Sequence, residues 1–261
     1  MKKILMSVLL LSGMMTATLA QSVDDVVSKY MAAVGGEKWN TVNALQIIST
    51  MSGNNGDMEL TTTVVKDKAY KWEMNAGMFQ MTRCINGDEG WSTNPRNGGA
   101  AEAMTPDQVK NQKDQTEIPS SLFDYKAKGH TAELEGKETV DGKELYKIKL
   151  TKKSGGVDYY YVDANTYLIA KRTMVQSMMG REIQSEAIYS DYKDVEGLKI
   201  AYKTETKRIG GQGGPGGPGG GQGGGGGGQG GGRGGMGGGP VTVDKVKINP
   251  KINEKDFKMP K

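Results

Sequence analysis

Cysteine and histidine are almost absent: the 261 residues carry one of each, Cys84 and His130. A lone thiol makes no internal disulfide, and this pair falls short of any histidine and cysteine set that holds a structural metal. No serine sits in a nucleophile motif, and no pair of carboxylates is placed by spacing alone for acid and base roles. Charge of one sign is also missing, with 34 Lys and Arg against 30 Asp and Glu and a net charge of +4. That balance argues against a nucleic-acid partner. No apolar run reaches the roughly 20 residues that a membrane-spanning helix needs. These absences predict a non-enzymatic chain with no cofactor, no metal and no membrane span.

What is present begins with an export signal. Lys2 and Lys3 form a basic start, Ile4 to Leu11 a short apolar run, and Thr18-Leu19-Ala20 a small-residue cleavage site. Residues 1–20 are therefore predicted to be removed after Ala20, leaving a periplasmic chain that begins at Gln21 with a net charge of +2. Cys84 lies far from that site, so no thiol stands there for lipid attachment.

One stretch is compositionally apart. Gly210 to Gly239 holds 23 glycines in 30 residues, with almost no side-chain surface to bury, which predicts disorder. Strand-like sequence precedes it (Leu198 to Ile209) and follows it (Val241 to Ile248), so it reads as an enlarged strand connection inside a single domain spanning residues 21–261. Expanding a turn from about 4 to about 30 residues costs roughly 1.8 kcal/mol in closure entropy, which a fold can tolerate. A surface-binding glycine arm is the functional alternative.

The remainder reads as one helix followed by strands. Val23, Val26, Val27, Tyr30, Met31 and Val34 share a helical face; Ser22 and Asp25 match a capping box, and Gly35-Gly36 supply a stop. Leu45 to Met51 and Met58 to Val64 alternate about the Asn54 to Asp57 turn. Tyr70, Trp72 and Met74 share a face, and Phe79, Met81, Arg83 and Ile85 lead to the Asn86-Gly87 turn. Strand character breaks at Asn94 to Tyr125, where Thr105-Pro106 reads as a helix start. That segment is a candidate lid or, more simply, a static cover. Strands resume from Glu133 to Val140 and continue through Tyr146 to Leu150, Val157 to Val162, Leu168 to Val175, Glu182 to Tyr192 and Leu198 to Lys207. About ten strands behind one helix predict a mainly β, α+β fold, with a strongly curved antiparallel sheet wrapped over helices. His130, in Lys128-Gly129-His130, reads as a solvated loop residue, and Cys84 as a small apolar group in a strand.

Several segments resemble the outer-membrane lipoprotein-sorting proteins, the LolA and LolB type carriers and their Bacteroidota relatives. Tyr160 to Lys171 resembles their strand, aspartate turn and strand. Asp191 to Ile200 is similar to the next turn and strand, Ile248-Asn249-Pro250 to Pro260 to their ending, and Tyr30 to Gly36 to the close of their first helix. The resemblance implies a half-open β-barrel with helices at its mouth, whose concave apolar face binds acyl chains of lipids or lipoproteins. Arg83 is the candidate for that family's helix-anchoring arginine.

A sheet curved over helices can enclose apolar volume, and methionine adapts to irregular flexible chains. The predicted ligand-binding residues are Tyr70, Trp72, Met74, Met81, Trp91, Tyr159 and Tyr161, with ordinary core as the alternative role for each. Two functional classes stay open. A carrier would sequester an acyl chain on the concave face. A protein-interaction or sensor module on the same scaffold would have a filled core and meet another envelope protein.

Overall fold

The computed structural model describes residues 21–53, 56–77, 80–95, 98–178, 181–209 and 239–260. The predicted export signal, glycine-tract residues 210–238, Phe79 and the centre of the Asn54 to Asp57 turn lie outside the described residues.

Helix α1 (Val23–Ala33) begins where the sequence places it. The Ser22 hydroxyl accepts from the Asp25 N–H at 3.1 Å, and the Asp25 carboxylate accepts from the Ser22 N–H at 3.1 Å, so both halves of the capping box form. Its inner face buries Val26, Val27 and Tyr30. The helix stops at Gly35, whose φ of 125° suits glycine, and a Cβ there would lie 2.8 Å from the Gly197 carbonyl oxygen. A 3₁₀ turn, Gly36–Thr41, then buries Trp39, whose indole donates to the Val34 carbonyl at 2.9 Å.

Among the described residues, thirteen strands form one sheet. The first half is a meander: β1 (Ala44–Met51), β2 (Met58–Val65), β3 (Ala69–Asn75), β4 (Gln80–Asn86), β5 (Glu89–Thr93) and β6 (Ala101–Ala103). The second half is another: β7 (Thr131–Val140), β8 (Lys143–Thr151), β9 (Val157–Asp163), β10 (Ile169–Met178), β11 (Arg181–Val195) and β12 (Leu198–Ile209). The last strand, β13 (Val241–Ile248), lies between β1 and β12 and joins the halves. The count exceeds the expected ten partly because β6 falls in the stretch that reads as a break. The strands on either side of the glycine tract, β12 and β13, are neighbours in the sheet.

The junction is not zipped along its length. Strand β13 pairs with β1 from Leu45↔Ile248 to Met51↔Val241, but meets β12 only at Lys203↔Thr242 and Thr204↔Val241. The two strands splay from there, and the end of α1 fills the wedge. The Lys199 N–H, at the start of β12, donates to the Val34 carbonyl at 2.9 Å. A backbone donor that would otherwise be orphaned is thereby satisfied.

The sheet is open, with β6 and β7 as its edges. The segment between them, residues 104–130, crosses from one edge to the other under the concave side. It contains the short helix α2 (Pro106–Lys110) and the 3₁₀ turn Lys113–Thr116, and it buries Val109, Ile118, Leu122, Phe123 and Tyr125. The main core combines this segment with α1 and the inward residues of β8, β9 and β12, among them Ile148, Leu150, Tyr160, Val162 and Ile200. The fold is thus a half-open β-barrel, mainly β, with helices on the concave face. None of the helices in the described residues is long and apolar enough to cross a membrane.

Candidate functional site: a cavity under the curved sheet

Strand register decides what the concave face offers. Leu45, Ile47 and Ser49 on β1 stand opposite Val64, Thr62 and Leu60 on β2, and these in turn oppose Tyr70, Trp72 and Met74 on β3. The face between β1, β2, β13 and the helices is not filled. A cavity of about 450 Å³ lies there, within the 300–1,000 Å³ usual for small-ligand sites. One wall is apolar, built from Leu45, Ile47, Leu60, Val64, Ile200, Val241 and Val243, with Val34 and Trp39 from the helical side. The lining is buried at Leu45 and Val64 and half-buried at Ile47, Thr62, Val241 and Val243.

The opposite wall is polar. Tyr160 on β9 and Arg172 on β10 are cross-strand partners facing the cavity, and the guanidinium lies 5.3 Å from the Tyr160 ring centre. Arg172 Nε donates to Asp158 at 3.1 Å, Lys152 pairs with Asp114 at 2.8 Å and with Asp158 at 3.4 Å, and Arg172 lies 3.9 Å from Asp114. Asp114 belongs to the covering segment, so this four-membered charge cluster ties cover to sheet. Two cations balance two anions, which makes the burial of Asp158, 0 % exposed, tolerable.

Tyrosine hydroxyls complete the polar wall. Burial pushes Tyr30 and Tyr70 up to about 12 and lifts Tyr160 well above the usual phenol range, so all three stay protonated and uncharged at neutral pH. Tyr30 shares a 2.8 Å hydrogen bond with Ser120 of the cover, and Tyr192 donates to the Ile169 carbonyl at 2.8 Å. Tyr189 and Tyr192 both line the cavity although they stand three residues apart in a strand; Asp191 between them has a φ of 53°, which interrupts the alternation.

The cover is fixed at many points. Tyr125 donates to Asp24 at 2.7 Å, Lys126 pairs with Asp24 at 2.6 Å, and within the segment half-buried Lys128 donates to the Ser120 carbonyl at 2.8 Å. His130 departs from the expected solvated loop residue: it is 6 % exposed and fully bonded. The Lys153 N–H donates to its Nδ1 at 3.0 Å, so the ring proton sits on Nε2, 3.1 Å from both Glu117 carboxylate oxygens. Its loop-like context gave no sign that the cover would fold back over it.

Of the seven residues predicted for the site, Tyr70 lines the cavity. Trp72, Met74 and Met81 share its face but stand farther along β3 and β4. Trp91, Tyr159 and Tyr161 lie on the opposite face. Trp91 opposes Cys84 in a small convex cluster with Ala69 and Phe257, where Cys84 Sγ and Trp91 Nε1 both donate to the Phe257 carbonyl, at 3.3 and 3.1 Å. Tyr159 and Tyr161 sit under lysine ammonium groups, Lys147 at 5.3 Å and Lys171 at 4.0 Å. Val157 to Asp163 is nearly palindromic in chemistry, with one valine, one aspartate and tyrosine on either parity, so alternation alone does not say which face is inward. Tyr160 is the member that faces the cavity. The arginine reaching the cover is Arg172, whereas Arg83 stands exposed on β4.

Among the described residues no cluster of three or more histidine, cysteine or acidic side chains could hold a metal ion. No protein-family model and no curated protein matches the chain by sequence. Solved structures match it in fold. A LolA superfamily protein from Nitrosomonas europaea aligns over 92 % of this chain and 98 % of its own, with a TM-score of 0.54 at 11 % identity. A DUF1329 family protein from Desulfovibrio piger aligns over the same shares, with a TM-score of 0.54 at 13 % identity. At these identities the likeness is one of fold, and the fold is LolA-like.

Proposed function

We propose, from a LolA-like fold whose concave side encloses an apolar cavity, that this chain is a periplasmic carrier that shelters one acyl chain. The cavity is the observation that carries the reading. At about 30 Å³ for each water-sized group, 450 Å³ holds about fifteen such groups, the scale of a single acyl chain. An apolar wall that faces a polar one suits a linear amphiphile. The predicted export signal places such a carrier in the periplasm, and the resemblance at Tyr160 to Lys171 and Asp191 to Ile200 extends the proposal to lipoprotein acyl chains and their sorting to the outer membrane. The interaction-module alternative called for a filled core, which an open cavity does not favour.

Native mass spectrometry of the mature chain purified gently from an envelope fraction, followed by organic extraction, tests this. A lipid or acylated peptide bound one-to-one is expected. A clean unliganded mass, with no uptake of added lipid, would contradict it.

A further inference from the structure

Three buried side-chain polar atoms of the described residues lack a hydrogen-bond partner there: Gln21 Nε2, Asp158 Oδ1 and the Tyr160 hydroxyl. Of these residues, Tyr160 is the one on the cavity wall, and it is 1 % exposed. Buried hydroxyls are nearly always bonded, because leaving one dry sacrifices its hydrogen bonds to water without replacement. Two of its neighbours on the wall are occupied, Tyr30 with Ser120 and Tyr192 with the Ile169 carbonyl. Beside it, Arg172 commits Nε and one terminal nitrogen to a single oxygen of Asp158, and a guanidinium has five N–H donors in all.

Resting on the acyl-carrier reading above, we infer that Tyr160 and Arg172 form a subsite for the neutral carbonyl oxygen, ester or amide, that joins an acyl chain to its head group. Both groups carry donors and both line the polar wall, so a chain lying along the apolar wall has its carbonyl facing them. Burial keeps the Tyr160 proton in place, which preserves its donor role. A neutral carbonyl fits better than a free carboxylate. Arg172 and Lys152 are already balanced by Asp114 and Asp158, and the Asp114 carboxylate itself lines the cavity. An added anion there would meet a site with no charge to spare and a carboxylate beside it.

The test uses the mature chain and its Tyr160→Phe variant, which keeps the ring and removes only the oxygen. Both are titrated with methyl decanoate, tridecane and decanoate, followed by tryptophan fluorescence, with the ester carbonyl stretch of the bound complex read by infrared. The ester is expected to bind the parent more tightly than the alkane. In Tyr160→Phe it should lose about 5- to 10-fold, the worth of one hydrogen bond, while the alkane is unchanged and the red-shifted carbonyl band moves back. Equal losses for ester and alkane, or no loss for the ester, would overturn the subsite and leave the carrier standing. Decanoate binding more tightly than the ester would overturn the neutral-carbonyl assignment. Uptake of none of the three would overturn the carrier reading and this inference together.

Discussion

The two faces of the sheet use the same kinds of residue to opposite ends. On the convex face, Cys84, Trp91 and Phe257 close on one another: two donors converge on the Phe257 carbonyl, and burial pushes the Cys84 thiol up to about 11. On the concave face, Tyr70, Ile47 and Val64 stand around a cavity of about 450 Å³. Aromatic and aliphatic side chains alone therefore do not mark a binding face. What separates the faces is how they are covered. The convex cluster lies directly under the 3₁₀ turn Glu254–Phe257, whereas the concave face is spanned by α1 and residues 104–130, which pack on β8, β9 and β12 and leave the cavity beside β1, β2 and β13.

Cutting a tether is the harshest way to break that contrast. Asp114→Ala removes the cover's anion from the cluster and leaves the half-buried Arg172 and Lys152 with Asp158 as their one counter-charge there, and should cost about 3–5 kcal/mol in a urea titration. A loss under 1 kcal/mol would mean that the charge cluster does not hold the cover. On the convex face, Phe257→Ala should cost about 3 kcal/mol and speed the reaction of Cys84 with a thiol reagent, with acyl uptake unchanged. Reduced uptake would show that the faces are not independent. Smaller again, Lys171→Met removes an ammonium 4.0 Å from the Tyr161 ring and should cost about 0.5–1 kcal/mol, again without affecting uptake.

Acid sharpens the same comparison from the side of the cover. Hydrogen bonds from Lys126 and Tyr125 hold the Asp24 carboxyl below its ordinary value. A carboxyl lowered on folding contributes stability above its unfolded value of about 4, and that contribution is lost as pH falls through the lower folded value. Asp24→Asn should therefore flatten the fall in thermal midpoint below about pH 4. An unchanged slope would remove Asp24 from the set of tethers.

Much of this architecture was legible in the chain. The capping box at Ser22 and Asp25, the stop at Gly35 and the hairpin of β1 and β2 all follow from short-range patterns. Each depends on a period or a turn that local residues fix. The site was less legible, because a face is chosen by tertiary register. The sequence around Tyr160 places valine and tyrosine on both parities, and Trp91, flanked by Gly90 and Ser92, offers little more. Arg172 becomes a cavity residue only when Asp114, far away in sequence, arrives beside it. His130 likewise owes its burial to Glu117 and Lys153, which its Gly-His context does not announce. Alternation counted outward from Ile148 and Val162, both fully buried, would have selected Tyr160.

The most direct test of the central claim, that the concave cavity is where an acyl chain sits, is a single uptake measurement on three chains. The parent, Ile47→Trp on the half-buried cavity wall and Trp91→Phe on the convex face are each incubated with a fluorescent fatty acyl ester and the bound fraction is counted. The account predicts one ester per chain for the parent and for Trp91→Phe, and loss of most uptake for Ile47→Trp at near-parental stability. Undiminished uptake by Ile47→Trp, with its fold intact by circular dichroism, would contradict it.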